Sequence, residues 1–263
     1  MVKRPRLNAT ITLAIQCAWG KLQRYKNSKV FDVTDDKIHD SEVDSLEPPK
    51  PRKLPQQSRS RILFDSIKQA CLMILESEGP KGLAVTRISE LSGVAMGSIY
   101  QYFPNIDAIV ATVYEDRILA NIELANKRVG QRYRDQTLTQ SLTYLIKGTL
   151  TFHREMLALD EDFHRRFYQT FDLQRWFNLK EGDPLASIRV IREILEAHQH
   201  EYPMRDVEME AFVITQAHRG TILDAVKYHP EYIGKPAFAH TLLNMALAVL
   251  HLPPVDCERE KDS

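Results

Sequence analysis

Residues 85–103 read VTRISELSGVAMGSIYQYF, and Pro104 with a second helical run follows at once. The spacing predicts two short helices joined by a glycine turn. Ile88 and Leu91 face inward from the first, Gly93 supplies the bend, Val94 plugs it, and Ile99 and Phe103 face inward from the second. That is a helix-turn-helix. Its second helix then carries Met96, Gly97, Ser98, Tyr100, Gln101 and Tyr102 outward. A face of small, hydroxyl and amide side chains suits the major groove, where base edges and phosphates both offer hydrogen-bond partners. The plainer alternative is that Tyr100 and Tyr102 only pack a small bundle.

Gly93-Val94, Gly97-Ser98-Ile99-Tyr100 and Tyr102-Phe103-Pro104-Asn105 together resemble the DNA-binding domain of the tetracycline-repressor (TetR) family, over about Arg59 to Asp116. The resemblance implies an all-α, cytoplasmic, homodimeric transcriptional regulator that needs no cofactor, whose recognition helix lies in the major groove of a double-stranded operator. Thr86, Met96, Gly97, Ser98, Tyr100, Gln101, Tyr102 and Asn105 are the expected DNA contacts, the hydroxyls mainly to phosphate and Gln101 to a base edge. The family's usual Lys is replaced by Ile106, and its usual Thr by Ala84 or Val85. Both changes weaken the expected grip on the DNA backbone, which Thr86, the tyrosines and the helix amide ends would have to supply. A helical interaction protein that keeps the head but has lost operator binding is the alternative these two changes motivate.

The chain has 263 residues, 43% of them hydrophobic, enough for a sizeable core. Its 35 basic and 35 acidic residues cancel, so any attraction for DNA must come from local clustering. Lys50, Arg52, Lys53, Arg59 and Arg61 form such a cluster just ahead of the helix-turn-helix, where a basic arm would meet phosphates or a neighbouring minor groove. Cys17, Cys71 and Cys257 are scattered and odd in number, which points to neither a disulfide framework nor a zinc site. No apolar run is long enough to span a membrane, and the mildly apolar start, with Gln16 inside it and no small-residue cleavage site after it, does not read as a signal peptide.

Four segments are expected. Residues 1–57 hold an acidic patch and the proline-rich PPKPRKLP and read as an extended or disordered tail, with room for a short helix from Ala9 to Gln23. Residues 58–104 are the DNA-binding head, opened by a buttressing helix with Leu63, Ile67, Ala70, Cys71 and Ile74 on one face and stopped at Gly79-Pro80. Residues 105–253 are a helical effector-binding and dimerisation body, and residues 254–263 a tail. Ile109, Val113 and Ile118 mark the buried stripe of the helix that links head to body.

Within the body, Phe163, Phe167 and Phe171 recur every four residues near Tyr168, Trp176 and Phe177. Such a stripe is usually core, but rings of this kind also wall ligand pockets. Phe152, Met156, Phe163, Phe167, Phe171 and Trp176 are therefore the pocket candidates for a small apolar effector. Asp183 reads as an N-cap with Pro184 opening the next helix, which runs to Tyr202-Pro203. Asp206 caps a run to Tyr228 with Ala211, Ile214, Ala217, Ile222 and Ala225 on its apolar face. Pro236 opens the last, with Leu242, Leu243, Ala246, Val249 and Leu250. The family resemblance implies that these two helices pair with their symmetry mates. The rival enzymatic reading rests on His153, Asp160, Glu161, Asp162 and His164, which fall into no known metal-ligand spacing and precede two arginines.

Overall fold

Ser58 opens the first of ten helices found among the residues that the computed structural model describes, namely 47–132, 136–202 and 206–255, with side chains of 124–132 left aside. The described residues fall in one unit, and no strand occurs among them: the fold is all-α. The expected helix at Ala9–Gln23, Cys17, Cys257 and most of the expected tails lie outside the described residues.

The head is α1 (Ser58–Glu78), α2 (Val85–Ser92) and α3 (Met96–Tyr102). Helix α1 buries Phe64, Ile67, Ala70, Cys71, Ile74 and Leu75 and stops where Gly79 takes φ 71°. Gly93 ends α2 in the left-handed region at φ 70°, ψ 10°, its N–H donating to the Ser89 carbonyl, a bend that an L side chain resists. Ser89 Oγ then donates to Val94 O at 2.7 Å, fixing the turn so that Val94 drops into the core with Ile88, Ile99 and Phe103. Leu91 departs from expectation: it is 40% exposed, because α2 is only two turns long and turns Val85 and Ile88 toward the core instead.

Helix α4 (Ile106–Arg132) leaves the head and runs into the body. The body is α5 (Leu138–Leu159), α6 (Glu161–Arg166), α7 (Leu173–Glu181), α8 (Ala186–Ala197), α9 (Val207–Tyr228) and α10 (Pro236–Val249). Caps written in the sequence set several boundaries. Thr137 and Gln140 form a reciprocal capping box at α5, Asp160, Asp172 and Asp206 accept from the first turns of α6, α7 and α9, and Pro236 opens α10. Asp183 does not cap α8 as expected. Its carboxylate accepts from Leu185 N at 2.9 Å, making a turn of 183–185, and the helix begins at Ala186 and ends at Ala197, well short of Tyr202.

Two hydrophobic clusters hold the fold. One joins the head to α4 and to Phe152, Met156, Leu159, Phe163, Phe167 and Phe171. The other ties α5, α8, α9 and α10 together. Ala211, Ile214, Ile222 and Ala225 of α9 and Leu242, Leu243, Ala246 and Leu250 of α10 belong to this second cluster. Those residues of the two apolar faces are buried within one chain, while Ala217 and Val249 are half-buried.

Candidate nucleic-acid interface and ligand cavity

Helix α3 is short, and its two sides differ sharply. Ile99 and the following Phe103 are sealed in the head core, while Met96, Gly97, Tyr100 and Gln101 lie exposed and Ser98 is half-buried. A Cβ built on Gly97 would meet nothing within 4 Å, so the chain itself makes no use of the missing side chain. Thr86 is exposed in the first turn of α2.

Two of the expected contact residues are placed otherwise. Tyr100 is 48% exposed, but Tyr102 is only 8% exposed, its ring edge-on to Phe64 at 5.8 Å beside the stacked Phe64–Phe103 pair at 4.7 Å. Residues two apart on a helix point about 200° from each other, so the two tyrosines cannot share the outward face. Asn105 is exposed, but its Oδ1 accepts from Ala108 N at 3.0 Å and so caps α4. Ile106, standing where the family carries Lys, packs half-buried against the head core.

Residues 47–57 form an irregular arm along the head. Pro48 is buried, Arg52 N donates to the Tyr102 carbonyl at 2.7 Å, and Lys53 Nζ lies 4.9 Å from the Tyr102 ring centre. The bond to Tyr102 O occupies a carbonyl that the end of α3 leaves without an intrahelical donor. Lys50, Arg52, Lys53, Arg59 and Arg61 are all exposed, and the arm's contacts place Arg52 and Lys53 beside the end of α3.

In the body, Phe152, Met156, Phe163, Phe167 and Phe171 are almost wholly buried, and Trp176 is half-buried with Nε1 donating to Thr170 O at 2.7 Å. None of these six lines the cavity found beside them, although their neighbour Phe177 does: the aromatic stripe is core. Tyr114 of α4 is its centre, 5.0 Å from the rings of Phe163 and of Phe171, with its hydroxyl hydrogen shared between Met156 O and Asp160 O.

The cavity, about 160 Å³, lies between α4, α5, α7, α8 and α9. Leu142, Leu145, Ile146, Val190, Ile191 and Ile222 give it an apolar wall, Asn121 and Ile122 bring α4 to it, and His153, Asp172, Gln174, Thr215, His218 and Arg219 supply polarity. Asp172, nearly sealed, is matched by Arg219 Nε at 2.5 Å. His218 meets Leu242 O through Nε2 at 2.8 Å, and burial lowers its proton affinity. Sequence reasoning found none of this lining as a set, because it is drawn from five helices with no local spacing in common.

Three residues of the enzymatic reading have structural partners. His153 Nδ1 and His164 Nε2 lie 3.0 Å apart in the interior, Asp160 caps α6, and among the described residues no three His, Cys, Asp or Glu converge as metal ligands. None of the described helices is long and apolar enough to cross a membrane.

No family model matches the chain, and no curated protein matches it in sequence. Solved structures similar to it include a TetR-like transcriptional regulator from Rhodococcus sp. RHA1, at 17% identity and TM-score 0.43 over 76% of this chain and 99% of that one. The fatty acid degradation regulator FadR from Bacillus halodurans gives 16% and 0.41 over 76% and 100%. FadR from Bacillus subtilis, solved in complex with stearoyl-CoA, gives 20% and 0.41 over 73% and 99%. Several of the similar structures are TetR-family transcriptional regulators. These likenesses concern fold, at low identity.

Proposed function

We propose that the protein is a sequence-specific DNA-binding transcriptional regulator, a repressor that a small molecule releases from its operator. The observation that carries this reading is the path of α4. It begins after only three intervening residues from α3, is capped by Asn105 and seated on the head core by Ile106, and runs on to the cavity at Asn121 and Ile122. One continuous helix therefore touches both the DNA-reading head and the ligand chamber, so occupancy of one biases the other reciprocally.

The corrected contact set is Thr86, Met96, Gly97, Ser98, Tyr100 and Gln101, with the basic arm beside Tyr102 gripping the DNA backbone. The cations of that arm take over the phosphate contact that Ile106 cannot make. A homodimer fits this reading through the outer side of α9, where Met209, Phe212 and Val213 stand exposed, Phe212 at 51%.

The test is to select DNA from the organism's genome with the purified protein and measure affinity by fluorescence anisotropy at two salt concentrations. Binding should be discrete, two chains per site, and steeply salt-dependent. Gly97→Ala, which the fold accommodates, should leave the melting temperature unchanged or raised and weaken operator binding at least tenfold by holding the duplex off. Tyr100→Ala should do the same. Wild-type affinity in both variants removes α3 from the interface and sinks the proposal.

A further inference from the structure

We infer that the cavity takes a small uncharged molecule bearing a hydroxyl on an apolar frame of about one ring, an alcohol or phenol. This rests on the effector-binding reading above and deepens it by naming the ligand's chemistry. Size comes first: a chamber of about 160 Å³ matches the roughly 150 Å³ apolar cavity that accepts benzene. The wall of Leu142, Ile146, Val190, Ile191 and Ile222 favours an apolar frame.

The polar groups then choose the substituent. Five helical threonines, Thr112, Thr143, Thr149, Thr221 and Thr241, settle their hydroxyls on the carbonyl four residues back at 2.7–3.1 Å. Thr215 does not. It lines the cavity at 3% exposure with Oγ1 buried and unpartnered. Gln174, also in the lining, reaches Thr215 O through Nε2 only at 3.5 Å, and its Oε1 is buried without a donor. A buried polar atom without a partner is costly, and two neighbouring ones in a cavity wall mark where a guest would complete the bonding.

The third group is His153. His164 Nδ1 has no partner, and a bare acceptor costs less than a bare donor. His164 therefore carries its proton on Nε2 and donates to His153 Nδ1 at 3.0 Å, which leaves His153, in the cavity wall, with its proton on Nε2. Burial lowers the His153 imidazole to about 4 and His164 well below its usual range, so the pair is uncharged at neutral pH.

A hydroxyl is the smallest group that accepts from an N–H and also donates to an amide or threonine oxygen. A ketone accepts but leaves Gln174 Oε1 without a donor. A carboxylate finds no unmatched cation, because Arg219 is already neutralised by Asp172, and burying an uncompensated charge is prohibitive.

The test is calorimetric titration of the full chain at pH 7 with cyclohexanol, cyclohexanone, toluene and benzoate. Cyclohexanol should bind about tenfold or more tightly than cyclohexanone or toluene, with no binding of benzoate. Thr215→Val, isosteric and without the hydroxyl, should weaken cyclohexanol roughly three- to tenfold and leave toluene unchanged or tighter. Should that variant fail to fold, Gln174→Met makes the same comparison. Equal binding of cyclohexanol and toluene, or tighter binding of benzoate, overturns the hydroxyl inference while leaving the cavity a ligand site. Absence of binding by all four probes removes the cavity itself from the proposed function.

Discussion

The aromatic layer around Tyr114 and the cavity around Ile122 touch the same helix about two turns apart, roughly 12 Å along its axis. Around Tyr114 the interior is dense and closed: rings of Phe163 and Phe171 lie 5.0 Å away, and the hydroxyl is bonded twice. Around Ile122 there is space, and two polar atoms wait without partners. The difference separates two tasks on one helix. A close-packed layer transmits displacement instead of absorbing it, whereas a loose layer is where a guest gains the most by filling it. Movement started at Asn121 and Ile122 would thus reach the head through a rigid coupling at Tyr114, helped at the start of α4 by the Arg166–Asp107 ion pair.

Truncating a residue in each layer should show the contrast most strongly. Phe171→Ala opens a void in the closed layer and should cost about 3–5 kcal/mol in urea unfolding. Leu145→Ala only enlarges space already present beside a half-buried side chain and should cost less than about 1.5 kcal/mol. Equal losses would show that the two layers are packed alike.

Acid should find the boundary between the layers next. His153 lines the cavity and bonds His164, whose ring sits 5.8 Å from Tyr114. In the folded protein desolvation lowers both proton affinities, and that of His218 as well. Such groups stabilise the fold fully above the unfolded value of about 6.5, and that stability is lost as pH falls toward the folded value, about 4 for His153. His153 should therefore remove about 1.5 kcal/mol between pH 6.5 and 5, and His164 and His218, whose proton affinities are lowered in the same direction, should add to that loss. Equilibrium unfolding followed across that window checks it, and a flat profile would mean that these rings are not held neutral.

The head was the most legible part of the chain because its signals are local. Gly93 demands a left-handed turn, Val94, Ile99 and Phe103 follow it at fixed offsets, and the Asp206, Thr137 and Pro236 boundaries are written in their own side chains. The placing of two expected contact residues was also decided locally. The angular step of a helix sets Tyr102 against Tyr100, and an Asn just before an apolar run is an N-cap signal, which is the role Asn105 takes. The cavity lay beyond reach for a different reason. A four-residue recurrence of phenylalanine establishes that Phe163, Phe167 and Phe171 share a side, but not what faces that side. Here it faces Tyr114, while the chamber is walled mainly by aliphatic residues of five helices, with Phe177 among them, whose proximity is purely tertiary.

The smallest expected effects are the most pointed, because they remove one hydroxyl from each layer. Tyr114→Phe deletes the donor to Met156 O and Asp160 O, yet each carbonyl keeps a backbone donor, from Asp160 N at 3.3 Å and His164 N at 3.0 Å. The loss should then be that of an ordinary buried hydrogen bond, about 1 kcal/mol. Thr215→Val deletes a hydroxyl that bonds to nothing and replaces it with a methyl of nearly the same volume. Without ligand its stability should stay within about 0.5 kcal/mol of wild type or rise, since an unsatisfied buried group disappears. A loss at Thr215 matching that at Tyr114 in urea unfolding would mean that its hydroxyl is already engaged, and the cavity would then lack the vacancy that invites a polar guest.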